Sequence, residues 1–455
     1  MSNFEALGLS PLILKSIARL GFDKPTPIQQ KAIPLVMEGR DIMGLAQTGT
    51  GKTAAFGLPL VEHLFANKGR PQPKTAKSLI LAPTRELANQ IADNLRLYVQ
   101  GTSLRVNVVV GGASINVQRK KLEQGTDILV ATPGRLMDLL DRGALRLNET
   151  NFLVLDEADQ MLDLGFINAL RKIAKLLAPK RQTLLFSATM PKQMAELSKS
   201  YLNDPVRIET ASVGKAADKV TQCVHYIDGG KKADFLEECL SKNPEELSIV
   251  FARTKHGAEK LMKRLVAKGF DAASIHGNKS QGQRDRAIRD FRAGNIKILV
   301  ATDVAARGID IPGVAFVYNF DLPEVPENYV HRIGRTARAG AEGQAIAFCS
   351  PGDAHLLFAI EEVMKINIHA ASGQRPTKAE ARANKTPTRG GRAGGKAHGN
   401  RNRDAKRAGG QRNTAGAGTP SGKRTNGSKP SSKPGARNGN PKNRFRKGRR
   451  SAASV

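Results

Sequence analysis

Two tandem α/β domains, each a doubly wound parallel sheet, followed by a disordered basic tail, are the architecture this sequence predicts. Three observations predict it. Short apolar runs rich in Val, Ile and Leu alternate with stretches of helical spacing. The alternation occurs twice in one register. The final 85 residues lose apolar character and carry 23 Lys and Arg against 2 Asp and Glu, so they hold +21 of the chain's formal +31.

The strands come first. Residues 79–82, 106–110, 128–131, 152–155 and 183–186 are apolar runs of only four or five residues. Strands buried on both faces of a parallel sheet read in this way. Between them, residues 86–98 and 135–140 have the spacing of helices that cover a sheet, and such alternation implies a doubly wound fold.

The repeat comes next. Leu81-Ala82-Pro83-Thr84-Arg85 resembles Phe251-Ala252-Arg253-Thr254-Lys255, and Ile128-Leu129-Val130-Ala131-Thr132 recurs unchanged as Ile298-Leu299-Val300-Ala301-Thr302. Thr84 to Thr132 and Thr254 to Thr302 are both 48 residues apart. Agreement in sequence and in register identifies two copies of one domain. The copies are placed at residues 1–208 and 219–370, with a linker at 209–218, where polar and small residues replace the apolar periodicity.

Residues 371–455 form the expected tail. Gly, Ala, Asn, Ser, Pro, Lys and Arg dominate it and Phe445 is its one aromatic, so burial cannot offset the cost of ordering the backbone. One dense block of positive charge points to an anionic polymer as partner. The three cysteines form no CxxC pair, which speaks against a disulfide framework or a zinc site and suits a reducing compartment. No basic-then-apolar leader opens the chain and no run approaches ~18 apolar residues. A cytoplasmic protein without a membrane partner is expected.

The chemistry begins after the apolar stretch Ile42-Met43-Gly44-Leu45, with Ala46-Gln47-Thr48-Gly49-Thr50-Gly51-Lys52-Thr53. Glycines let backbone amides turn toward phosphate oxygens, Lys52 brings charge to the β- and γ-phosphates, and the Thr53 hydroxyl reaches Mg²⁺. Ala46 stands where the general phosphate loop has Gly. A second acidic anchor follows the run Phe152-Leu153-Val154-Leu155, which leads directly into Asp156-Glu157-Ala158-Asp159. A carboxylate there lies at the carboxyl edge of the sheet, where α/β folds bind ligands. Asp156 suits the metal, and Glu157 suits the water that attacks the phosphate.

Asp156-Glu157-Ala158-Asp159 is also the signature that names the DEAD-box RNA helicases, and residues 4–370 resemble that family. The resemblance implies tandem RecA-like domains, ATP and Mg²⁺ as cofactors, and RNA as partner. Gly21-Phe22-Asp23-Lys24-Pro25-Thr26-Pro27-Ile28-Gln29 is similar to the family's Q motif. By resemblance Gln29 reads the adenine edge and Phe22 packs by the base. Ser187-Ala188-Thr189, with Asp159, is similar to the elements that couple hydrolysis to strand separation. Asp310 matches a ribose contact. His331-Arg332-Ile333-Gly334-Arg335-Thr336-Ala337-Arg338 matches the motif that faces the triphosphate, so Arg335 and Arg338 are the expected arginine fingers. Ala337 replaces the commoner Gly, and both being small, little effect is expected.

The strand ends then acquire a purpose. Pro83-Thr84-Arg85, Gly111-Gly112 and Thr132-Pro133-Gly134-Arg135 resemble the family's RNA contacts of the first domain. Arg253, Thr254, Gly277, Gln281, Arg284 and Thr302 sit at the matching motifs of the second. Hydroxyls, glycine amides and guanidinium groups grip phosphate and sugar without reading sequence. With no Trp and 5% aromatics, stacking platforms are not evident. Within the family the chain most resembles bacterial helicases of the RhlE type, which implies ribosome assembly, RNA turnover or cold adaptation. Three readings stand at this point: local duplex unwinding, an ATP-gated RNA clamp, and a translocase on double-stranded DNA. Strand displacement separates the first two, and ATPase stimulated by RNA or by DNA separates the third.

Overall fold

A computed structural model describes residues 3–46, 49–67, 69–209, 220–306, 308–309, 311–337 and 342–384. The first sheet contains β1 (Ile42–Leu45), β2 (Ala76–Leu81), β3 (Val106–Val109), β4 (Thr126–Ala131), β5 (Phe152–Leu155), β6 (Gln182–Ser187) and β7 (Val206–Glu209). The second contains β8 (Val220–Tyr226), β9 (Leu247–Phe251), β10 (Ala272–Ile275), β11 (Ile298–Ala301), β12 (Val314–Asn319), β13 (Gly343–Cys349) and β14 (His369–Ser372). Their orders are β3-β4-β2-β5-β6-β1-β7 and β10-β11-β9-β12-β13-β8-β14, so the seven strands correspond one to one. Every pairing among the described residues is parallel. These are tandem RecA-like sheets, and both lie within one compact unit.

The apolar runs form strands because helices cover both faces of each sheet. Every residue of β4, β5 and β11 is buried. The repeated polar turns start helices by one device. Thr84 Oγ1 accepts the Leu87 N–H at 3.2 Å and caps the helix Arg85–Tyr98. Thr254 Oγ1 accepts the Gly257 N–H at 3.0 Å and caps the helix Lys255–Ala267. Such caps satisfy amides that have no partner within the helix. Leu87, Ala88, Ile91, Ala92 and Leu95 then face the core, as do Ala258, Leu261 and Leu265.

Two expected boundaries need correction. Glu209 belongs to β7, where it pairs with Leu45, so the first domain runs past residue 208. The alternation of β7, with Ile208 buried between exposed Arg207 and Glu209, is that of an edge strand and too weak a pattern to stand out. The chain also remains ordered beyond residue 370. β14 extends to Ser372 and pairs with β8, and the helix Lys378–Ala383 follows. Arg375 makes a bidentate pair with Glu361 and lies over the Phe358 ring, while Ala381 is 1% exposed. Ala381 is the one buried residue between 371 and 384, so the segment's polar composition concealed it. The rest of the expected linker, 210–218, and residues 385–455 of the expected tail lie outside the described residues. No described helix is long and apolar enough to cross a membrane.

Candidate functional site

The helix Lys52–Ala66 begins at the carboxyl end of β1, after Gly51 at φ +88°. A Cβ on Gly51 would lie 2.5 Å from Gln29 Nε2 and 3.0 Å from Thr26 Oγ1, so the close approach requires glycine. Thr26 Oγ1 donates to the Thr50 carbonyl at 2.8 Å, and Gln29 Nε2 donates to the Gly51 carbonyl at 3.1 Å. Gln29 Oε1 meanwhile accepts the Thr26 N–H at 2.9 Å. The Gln29 amide keeps one donor hydrogen and one acceptor lone pair for a ligand, a set that matches the adenine N6/N7 edge. Phe22 is 37% exposed and stacks on Phe4 with centroids 6.4 Å apart. Phe22, Gln29, Gly49, Lys52 and Thr53 all line one cavity of about 790 Å³. Gln47 and Thr48 lie outside the described residues.

Lys52 is buried, donates to the Ala46 carbonyl at 3.1 Å, and stands 3.7 Å from Asp156 Oδ1. The second distance exceeds a hydrogen bond, so the pair attracts without locking. Asp156 accepts the Glu157 N–H at 3.0 Å. Glu157 adopts φ +51°, a left-handed conformation that costs energy for a residue with a Cβ. Its side chain is buried, and its Oε2 has no hydrogen-bond partner among the described residues. Burial raises the Asp156 carboxyl above its usual range, against the pull of Lys52. Burial likewise raises Glu157, opposed by Lys52, reinforced by Asp156, and opposed again by Arg335 and His331.

Thr53 and Asp156 offer the hard oxygen donors that Mg²⁺ prefers. Among the described residues no group of three or more His, Cys, Asp or Glu would hold a metal alone. One hydroxyl and one carboxylate suit an ion whose remaining ligands are phosphate oxygens and water, which is how Mg²⁺ is usually bound.

Asp159 carries the acidic motif into the next strand end. Its Oδ2 accepts the Ala188 N–H at 3.1 Å, the Thr189 N–H at 2.8 Å and the Thr189 hydroxyl at 2.9 Å. Ser187 Oγ donates to the Thr189 carbonyl at 2.6 Å. The three expected coupling residues are thus one hydrogen-bonded unit. From the second domain, just after the helix Glu327–Ile333, Arg335 enters the same cavity as Lys52, Asp156 and Glu157. Its Nη1 donates to the Ile309 carbonyl at 2.6 Å and its Nε to the His331 carbonyl at 3.0 Å. Asp310 and Arg338 lie outside the described residues. Ala337 takes φ +55°, where glycine is unstrained, so its replacement of Gly carries a cost that size alone does not suggest.

The expected RNA contacts collect at matching strand ends. Pro83, Thr84 and Arg85 follow β2, Gly111 and Gly112 follow β3, and Thr132 to Arg135 follow β4. Arg253 and Thr254 follow β9, Gly277 follows β10, and Thr302 follows β11. These are the corresponding three adjacent strands in each sheet. Arg135 Nη1 donates to the Ala113 carbonyl at 2.9 Å, and the Arg253 guanidinium is 2.8 Å from Asp353.

Gln281 and Arg284, also expected at RNA, lie on the helix Gln281–Arg292 and join the two domains in this structure. Gln281 Oε1 accepts from Arg85 Nη1 at 3.0 Å, and Arg284 Nε donates to Glu86 Oε1 at 2.9 Å. Glu86 is an interdomain contact the sequence did not reveal, because acid in a first helical turn is ordinary. Gly308 is another. A Cβ there would lie 2.5 Å from Thr84 Oγ1 and 2.6 Å from Leu87 Cβ.

Comparison with known proteins follows the same division. Residues 26–197 match the family model DEAD/DEAH box helicase, and residues 231–340 match the Helicase conserved C-terminal domain. The "ATP-dependent RNA helicase CshA" of Listeria monocytogenes is 44% identical over 381 residues, covering 84% of this chain and 72% of that protein. The "DEAD-box ATP-dependent RNA helicase CshA" of Geobacillus kaustophilus is 44% identical over 367 residues, covering 80% and 77%. Among solved structures, S. cerevisiae Dbp5 bound to RNA and ADP BeF3 superposes with a TM-score of 0.74 at 32% identity, covering 82% of this chain and 96% of that one. Mss116p bound to ssRNA and AMP-PNP gives a TM-score of 0.74 at 29% identity, covering 83% and 79%.

Proposed function

The chain belongs to the DEAD-box ATP-dependent RNA helicases, and on that premise we propose how it works: Mg-ATP closes the two domains on an RNA strand, and hydrolysis lets them part. The observation that carries this reading is the cavity in which Arg335 of one domain meets Lys52, Asp156 and Glu157 of the other.

Gln29 pairs with the adenine and Lys52 neutralises the β- and γ-phosphates. Thr53 and Asp156 would hold magnesium, which would withdraw charge from the phosphate oxygens. Glu157 aligns a water molecule and takes its proton, with the unpartnered Oε2 as the accepting atom. Oxygen attacks the γ-phosphorus in line, the bond to the β-phosphate oxygen breaks, and ADP leaves. Arg335 stabilises the charge that spreads in the transition state. Arg338 and Asp310 keep the roles that the resemblance implies.

Thr, Gly and Arg at six strand ends hold RNA by its backbone, so unwinding is independent of sequence. A clamp that closes once per ATP separates short duplexes and leaves long ones paired. The proposed setting is the cytoplasm, where the three free thiols are stable, and the proposed substrates are structured RNAs of ribosome assembly or turnover. Residues 385–455, with 20 Lys and Arg against 1 Asp or Glu, serve as an electrostatic tether. A truncation that tests the tether ends after Asn384, since an end at 370 would remove the Arg375–Glu361 pair.

The deciding experiment compares the parent with Glu157→Gln in RNA-stimulated ATPase and in strand displacement on duplexes of increasing length. Glu157→Gln should bind ATP and RNA, stall hydrolysis, and release RNA slowly. Displacement by the parent that is indifferent to duplex length, or stimulation by DNA equal to that by RNA, would overturn the proposal.

A further inference from the structure

We infer that Gln118 is a positioning residue for RNA binding, whose side-chain amide fixes the Gly111-Gly112 loop in its phosphate-gripping shape. The inference rests on the reading of that loop as an RNA contact.

The sheet explains why a device is needed. β3 is an edge strand, so one side of it has no neighbour. The Val109 carbonyl accepts from the Thr132 N–H and thus faces β4. Strand alternation turns the peptide groups of Val110 to the open side, where buried polar groups need partners. Gln118 supplies both. Its Oε1 accepts the Val110 N–H at 3.0 Å, and its Nε2 donates to the Val110 carbonyl at 3.0 Å. One primary amide therefore pairs with Val110 as a neighbouring strand would.

The same Nε2 lies 3.4 Å from the Ala113 carbonyl, which also accepts from Arg135 Nη1 at 2.9 Å. The loop is pinned on both sides of its glycines. Gly112 has φ +81°, and a Cβ on it would lie 2.2 Å from Arg85 Nη1. Among the described residues neither glycine N–H donates a hydrogen bond, so both are available to a phosphate. Gln118 is 6% exposed, so it acts on RNA only through the loop.

Replacing the amide with an apolar side chain of similar size leaves the loop free to sample other shapes, and RNA must then pay to order it. Neutral amides release no counterions. Affinity should fall while its salt dependence stays as it was, unlike the loss of a guanidinium.

The test measures RNA-stimulated ATPase of the full chain against single-stranded RNA at several salt concentrations. Gln118→Leu, Gln118→Glu and Gly112→Ala are compared with the parent, together with melting temperature and RNA-free ATP affinity. Gln118→Leu should raise the half-saturating RNA concentration on the order of tenfold, with salt slope and ATP affinity as in the parent. Gln118→Glu keeps the acceptor for Val110 and should fall between; it carries the test if the leucine variant does not fold. Parental half-saturation in the Gln118 variants with a loss in Gly112→Ala overturns the inference and leaves the loop reading intact. Parental behaviour in all three overturns both. A loss of RNA affinity matched by an equal loss of ATP affinity marks general destabilisation and also overturns it.

Discussion

The two sheets share a strand order, yet among the described residues their corresponding lysines meet different surroundings, a cavity in the first domain and an ion-pair network in the second. Lys52 opens the helix that follows β1, and Lys232 opens the helix Lys232–Ser241 that follows β8. β1 and β8 hold the same place, as do β5 and β12. Lys52 faces Asp156 beyond β5 at 3.7 Å, and Lys232 faces Asp321 beyond β12 at 3.9 Å. The difference is one more carboxylate. Lys232 is 3.2 Å from Asp353, which also binds Arg253 at 2.8 Å and Ser350 at 2.5 Å. In the second domain an internal anion satisfies the lysine. In the first, the lysine lines a cavity, where the proposed function gives it a phosphate. A buried cation needs a counter-charge, and where that charge comes from decides whether the same scaffold is a structural core or a catalytic site.

The largest expected effect breaks this symmetry directly. Lys52→Ala should lower ATP turnover at least a hundredfold with little change in melting temperature. Lys232→Met should leave turnover within severalfold, measured well below its melting point, yet destabilise the protein by about 2–4 kcal/mol, because Asp353 and Asp321 lose a buried partner. ATPase rates and thermal melts of both variants check the contrast. Loss of turnover in a Lys232→Met protein that melts like the parent would show that the two lysines are not divided in this way.

Gly308 sharpens the comparison at the seam. A methyl group there must displace Thr84 or Leu87, at a cost of about 1–3 kcal/mol. Gly308→Ala should therefore reduce RNA-stimulated hydrolysis roughly ten- to a hundredfold while ATP still binds the first domain. Nucleotide binding and turnover measured on one preparation separate the two effects, and equal losses in both would contradict the seam.

Acid should discriminate the two sites as well. Burial opposes ionisation of Asp353, but Lys232, Ser350 and Arg253 outweigh it and hold its pKa at about 2. The unfolded value is near 3.9. A depressed folded pKa means stability that is present above about pH 4 and is lost as pH falls toward 2. Asp353→Asn should remove that contribution, so its melting temperature should depend less on pH across this window than the parent's. Identical pH profiles would refute the internal anion.

The smallest effect concerns Ala337. Relief of a left-handed conformation at φ +55°, less the entropy that glycine gains in the unfolded chain, should make Ala337→Gly more stable by about 0.5 kcal/mol. Chemical denaturation of parent and variant measures it.

Much of this was legible in the residues. The apolar runs at 79–82, 128–131 and 152–155 are strands, the 48-residue register is a duplication, and Gly51-Lys52-Thr53 and Asp156-Glu157 meet at one sheet edge. What escaped has a common cause. β7 and β14 are edge strands with too few buried residues to set a period. Glu86 and Lys232 look like ordinary residues of a first helical turn. Gln118 is a glutamine in a basic helical run, and only the open edge of β3 gives it work.

The sequence by itself determined the duplicated α/β scaffold and the chemistry available to it, because strand burial, helix caps and glycine turns are local and leave periods and spacings. Only the tertiary structure decided which charges meet. Glu86 lies 2.8 Å from Arg284 and Lys232 lies 3.2 Å from Asp353, although long stretches of chain separate each pair. No period encodes such contacts. They exist because parallel strands bring distant turns to one edge and because buried charges select partners by proximity in space.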